Sequence, residues 1–180
     1  MTDPTAPMVR VWDPVLRLMH WHLAAFILLA WLTADDMRTA HEALGYAVGG
    51  LILLRLVWGV IGPRNARFAS FVRGPAATLR YLDDMRRGRE RRFLGHNPAG
   101  AAMIVVLLLA IATTVATGIL MGTDRFWGSE TMEEAHEAAA ILILILVAFH
   151  IGGVIHASLR HGENLVSAMI DGRKPEGTHE

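Results

Sequence analysis

No cysteine occurs among the 180 residues. Disulfides, thiolate metal sites and iron–sulfur clusters are thereby excluded, and thiol usage gives no clue to redox compartment. Acidic residues are missing too, but only locally. Four apolar runs, residues 14–34, 46–62, 101–122 and 138–159, contain no Asp or Glu at all. No internal repeat is visible beyond this recurrence. The first run follows Arg10, as a secretory signal would, yet "LLAWLTADD" offers no small-x-small cleavage site, so it is expected to be retained.

What is present is hydrocarbon. Hydrophobic residues make up 53% of the chain, and the mean hydropathy is +0.36. The runs at 101–122 and 138–159 each exceed the roughly 20 residues that cross a bilayer. The run at 46–62 is interrupted only by Arg55, and the first carries Arg17, His20 and His22. The expected fold is an all-α membrane protein, an up-down bundle of four transmembrane helices. A single domain over residues 1–175 would be followed by a polar tail at 176–180, within a loose "GRKPEGTHE" ending. Asp13 before Pro14 and Asn97 before Pro98 read as helix starts. "TMEE" (131–134) reads as a capping box for the fourth span.

The zero net charge conceals an asymmetry. Between the second and third spans, residues 64–93 hold nine arginines against three acids, and Arg160, Arg173 and Lys174 follow the fourth span. The other two loops are acid-rich. The positive-inside rule then puts both termini and the basic loop in the cytoplasm. Nucleic-acid binding is the rival reading of so many arginines. Between membrane helices an anchor for lipid headgroups is the better one. Pro75 opens a short surface helix in this loop, with Leu79, Leu82 and Met85 on one side. Trp12, Trp21, Trp58 and Trp127 lie near span ends, as an interfacial belt would place them.

Histidines in hydrocarbon are costly and favour a functional reading. His136 and His150, at the two ends of "HEAAAILILILVAFH", are 14 positions apart. At roughly 100° per residue they share a helix face, about 21 Å apart along the axis. Antiparallel neighbours bring His20 level with His150 and His41 level with His136. A lone histidine could be a satisfied core residue; four matched in depth on three helices suggest two stacked sites. Zinc wants about four ligands, and non-haem iron wants carboxylates. Haem needs only axial ligands, and two imidazoles leave no vacancy for oxygen, which suits electron transfer. With no Cys-x-x-Cys-His run, any haem is held non-covalently. Gly45 and Gly153, near the ligands, would admit a flat ring or simply pack helices. Arg55 shares the face of His41 at the level of His20, where it would pair with propionates or snorkel to headgroups. Arg17 poses the same choice. His22 points away from His20, His156 faces a quinone pocket or headgroups, and His96, His161 and His179 fall outside the runs.

The segments "RLMHWHLAAFILLAWL", "HEALGYAVGGLILLRLVWGVIGPRNARFASFVRGP", "GHNPAGAAMIV" and "HEAAAILILILVAFHIGGVIHASLRHGENLVSAMIDGRK" resemble the bacterial cytochrome b561 family, which includes b-type cytochrome subunits of nickel–iron hydrogenases. The resemblance spans about residues 9–175. It implies a bacterial inner-membrane protein holding two haems b, with His20, His41, His136 and His150 at the family's ligand positions. It also implies electron passage between quinone or quinol and a redox partner outside the membrane, a c-type cytochrome or a hydrogenase-like enzyme. Whether such a protein counts as an enzyme, a quinone oxidoreductase, or as a subunit of one is left open, as is a homodimer. Two other readings stand beside it: a metal-ion or proton translocator using the histidines as a relay, and a membrane anchor for a soluble oxidoreductase.

Overall fold

The computed structural model describes residues 7–176; His179 and the end of the expected tail lie outside the described residues. In chain order the elements are β1 (Met8–Arg10), α1 (Pro14–Leu32), α2 (Arg38–Ile61), a 3-10 turn (Arg64–Ala66), α3 (Phe68–Phe71), α4 (Pro75–Arg86), α5 (Pro98–Met121), α6 (Glu130–His161), α7 (Leu165–Asp171) and β2 (Arg173–Pro175). Four of them, α1, α2, α5 and α6, are long and apolar enough to cross a membrane. The all-α membrane architecture read from the sequence is the one observed.

Local chemistry sets the helix starts. Asp13 caps α1, its carboxylate accepting from Leu16 N at 3.0 Å, with Pro14 in the first turn, where its missing N–H costs nothing. Asn97 does the same for α5, accepting from Gly100 N at 2.7 Å. The fourth span departs from expectation. The α6 helix begins at Glu130 behind Ser129, which makes no side-chain cap bond, so "TMEE" is not a capping box. Acids at Glu130 and Glu133 still sit in the first turn, where the helix dipole favours them. At 32 residues α6 is about 48 Å long. It therefore projects beyond a hydrocarbon core of about 30 Å.

The spans pack in sequence, α1 on α2, α2 on α5 and α5 on α6. A mid-bundle core of Val48, Ile52, Ala110, Ile111 and Ile143 joins the last three. Gly49 permits close approach there, since an added Cβ would lie 3.0 Å from Val115 Cγ1. Outward faces are apolar and bare: Val60 and Ile61 are each 71% exposed, Phe149 69% and Leu159 79%. A surface of that kind is stable only against lipid.

The basic-loop end is more ordered than the sequence suggested. Arg173–Pro175, expected within a loose tail, forms β2, antiparallel to β1 with Val9 opposite Lys174. The short α7 helix, which the charge pattern concealed, is capped by Asn164 accepting from Ser167 N at 2.9 Å. Helix α4 matches the surface helix expected from Pro75, with Leu79 and Leu82 exposed and Tyr81 buried. One loop arginine, with cations of α6 and β2, faces inward rather than to headgroups. Arg92 meets the buried Glu163 at 3.1 Å, which also takes Lys174 Nζ at 3.1 Å. Arg160 meets the buried Glu90 at 3.0 Å. Trp12 is not part of a belt; it is buried with Val11, Leu16, Met19, Ala66 and Ala168 in a second core at this end.

Candidate functional site

Two pairs of imidazoles meet across the bundle. At the end bearing the basic loop, the rings of His20 (α1) and His150 (α6) have centroids 6.3 Å apart, tilted by 52°. At the opposite end, His41 (α2) and His136 (α6) lie 6.0 Å apart at 75°. The depth matching expected from helix antiparallelism is therefore the arrangement observed. Two metal–imidazole bonds of about 2 Å each, with the half-width of each ring added, come to roughly 6 Å. Either pair can thus hold one metal atom between its rings. No cluster of three or more His, Asp or Glu side chains able to hold an ion exists among the described residues, so a bare zinc or non-haem iron centre has no ligand set.

The far-end pair is oriented by backbone carbonyls. His41 Nδ1 donates to Ala30 O at 2.8 Å. His136 Nδ1 donates to Thr114 O at 2.9 Å, with Thr117 Oγ1 at 3.1 Å. A carbonyl only accepts, so each proton sits on Nδ1 and each Nε2 keeps its lone pair. Ligating histidines are usually held in this way. Thr117 donates its own hydrogen to the carbonyl oxygens of Thr113 and Thr114, both at 2.9 Å, which leaves its lone pairs for His136. Gly118, one residue on, makes room: a Cβ there would lie 3.2 Å from His136 Cε1.

These α5 residues escaped the sequence reading because α5 has no histidine and so drew no attention. The signal was present in "ATTVATG", a small and polar patch within an apolar span, at the depth of His136.

Cations occupy the same end of the bundle as the His20–His150 pair. His20 Nδ1 is buried with no hydrogen-bond partner, as are Arg55 Nη1 and Arg17 Nε. Arg55 is only 5% exposed, its guanidinium 4.5 Å above the Phe68 ring. It does not snorkel to a headgroup. Phe68 holds that place because Gly59 has no side chain; a Cβ there would fall 2.0 Å from the ring. Arg17 docks α7 through a hydrogen bond to Ile170 O. A buried guanidinium with unused donors is costly, and anionic carboxylates arriving from a ligand would satisfy it.

The other candidates separate. Gly45 and Gly153 have nothing within 4 Å of an added Cβ, so neither packs a helix. His22 turns back to Leu18 O at 2.7 Å. His156 faces Glu90 at 3.6 Å. His96 lies between Trp12 and Phe71 at centroid distances of 4.6 and 4.4 Å.

A family model described as prokaryotic cytochrome b561 matches residues 11–172. The chain belongs to that family. No curated protein and no solved structure matches it. Membership of the cytochrome b561 family makes this a membrane b-type cytochrome engaged in electron transfer, with haem b as its cofactor. The four spans and the apolar exterior agree with that class.

Proposed function

We propose that the protein carries two haems b, one between His20 and His150 and one between His41 and His136, and passes electrons across the bacterial inner membrane. The observation that carries this reading is the pairing of half-buried imidazoles at two depths, 6.3 and 6.0 Å apart. Each haem, held by two imidazoles, would supply a one-electron iron couple. The chain does the rest. His41 and His136 are held with Nε2 free by Ala30 and Thr114. His20 and His150 are placed by α1 and α6. Arg55 and Arg17, each with a buried nitrogen lacking a partner, would pair with the propionates of the haem at the basic-loop end. The apolar spans exclude water, so little solvent reorganises as charge moves.

By the positive-inside rule the basic loop and both termini lie in the cytoplasm. His20 and His150 then form the inner pair and His41 and His136 the outer pair. Electrons run between the quinone pool and a periplasmic partner, a c-type cytochrome or a hydrogenase-like enzyme, which the acid-rich outer loops suit by charge. A role as membrane anchor for such an enzyme is compatible with this. A proton or metal relay is not favoured, because a relay needs histidines staggered along one path and these are matched in depth.

Reconstituted vesicles test the reading. With ferricyanide trapped inside and dithionite outside, the haem-loaded protein is expected to let electrons across and bleach the trapped acceptor. His150→Leu is expected to stop it. Vesicles that stay oxidised with fully loaded wild-type protein would refute transmembrane transfer.

A further inference from the structure

A cavity of about 480 Å³ opens at the basic-loop end of the bundle, within the range of roughly 300–1,000 Å³ typical of ligand sites. Its polar lining comprises Arg10 of β1, Arg64 and Asn65 of the 3-10 turn, Ser70 of α3, Arg73 and His96. No carboxylate lines it. Neither Arg17, Arg55 nor any of the four paired histidines contributes to its wall, although Arg55, His20 and His150 lie within electrostatic reach of His96 at its inner end.

The lining arginines differ from their neighbours in the loop. Arg86 and Arg87 pair with Asp83, Arg92 with Glu163 and Arg160 with Glu90. Among the described residues Arg10, Arg64 and Arg73 make no ion pair. Deeper in, His96 Nδ1 is buried with no hydrogen-bond partner. Burial, with Arg55 next in weight, pushes the His96 pKa down to about 3, so the ring is neutral at physiological pH. A neutral imidazole carries one N–H to offer. Three unpaired guanidinium forks and a buried orphan nitrogen form a receptor for a tetrahedral oxyanion, the chemistry that arginine recognises in bidentate fashion.

Apolar surface decides the source of that oxyanion. Phe71 and Phe93 form part of the wall. Phe93 is 37% exposed, and Val72, next to the wall residues Phe71 and Arg73, is 41% exposed, so exposed apolar side chains flank the cavity. A free phosphate has no use for such apolar flanks; acyl chains do. We propose that this cavity binds the phosphate headgroup of an anionic phospholipid from the adjoining leaflet. Basic pockets at the ends of membrane helices suit such headgroups. The bound lipid staples β1, the 3-10 turn and the segment before α5 together.

The test uses the haem-loaded full chain in detergent, titrated with phosphatidylglycerol and followed by native mass spectrometry. Phosphatidylcholine and inorganic phosphate are run alongside. The variant R10Q/R64Q/R73Q is expected to lose affinity for phosphatidylglycerol by roughly fivefold per arginine, on the order of a hundredfold in all. The variant R86Q/R87Q/R89Q removes the same charge from the loop outside the cavity and is expected to bind as wild type. Haem content is expected to be unchanged in both, which separates this result from any failure of the haem assignment. Should the first variant not load haem fully, R64Q and R73Q singly are expected to show several-fold losses. Equal losses in the two triple variants, or none in either, would overturn the proposal. So would displacement of the lipid by inorganic phosphate, or phosphatidylcholine binding as tightly as phosphatidylglycerol.

Discussion

His136 Nδ1 lies 2.9 Å from the Thr114 carbonyl oxygen and 3.1 Å from Thr117 Oγ1, so one turn of α5 fixes the tautomer of a histidine on α6. His41 is fixed the same way by the carbonyl of Ala30. The loop-end pair differs: His20 Nδ1 has no partner, and unsatisfied guanidinium nitrogens of Arg17 and Arg55 are buried at that end. The two sites are thus built from opposite electrostatics. On the proposed ligation, electron-rich imidazoles at one end would favour ferric iron, and cations at the other would favour ferrous iron.

Thr117→Val keeps the shape of the side chain and removes the second acceptor of His136. Both haems are expected to remain bound. The far-end haem is expected to rise in reduction potential by about 20–40 mV, since a hydrogen bond is worth roughly 0.5–1 kcal/mol and 59 mV corresponds to tenfold for one electron. An optical redox titration reads this directly, and an unmoved midpoint would remove Thr117 from the site.

Gly118→Val places methyl groups where His136 stands, because even a Cβ would lie 3.2 Å from its Cε1. The expected result is a protein that keeps the loop-end haem and loses the other. Haem per chain is expected to fall to about half. Full loading would show that His136 has room to move and that Gly118 serves only helix packing.

Arg55→Leu removes a buried cation without opening a cavity. A unit charge about 10 Å away at an effective dielectric of about 20 contributes on the order of 1–2 kcal/mol. The loop-end haem is therefore expected to fall in potential by several tens of millivolts, with the far-end haem unmoved. Equal shifts at both haems would argue that Arg55 acts through the fold and not through the propionates.

Lys174→Met breaks the pair with the buried Glu163, whose side chain is 4% exposed. Burial holds the Lys174 ammonium below its usual pKa range, against the pull of Glu163. Losing it leaves that carboxylate with Arg92 alone. A cost of about 3 kcal/mol is expected, read as a drop of several degrees in thermal unfolding with both haems still bound at room temperature. An unchanged midpoint would mean that the β1–β2 ribbon adds nothing to stability.

Much of this was legible before any coordinates. Hydropathy gave the four spans because lipid imposes a length and a composition on each. The 14-residue spacing from His136 to His150 gave two levels, because helix rise and antiparallel packing leave little freedom. What stayed hidden depended on partners distant in the chain. Arg92 and Glu163 are 71 positions apart, so the basic loop read as an anchor for lipid headgroups when part of it folds inward. Trp12 looked like a belt residue because its place against His96 is set by tertiary contact. The Thr114 carbonyl is backbone, and no side-chain pattern announces it.

Haem stoichiometry in single-histidine variants tests the central claim most directly. The pyridine haemochrome assay on purified wild-type protein is expected to give two haems b per chain. His20→Ala and His150→Ala are expected to lose the same haem, and His41→Ala and His136→Ala the other. One haem per chain in the wild type, or a pattern in which His20 and His136 variants lose the same haem, would contradict the account.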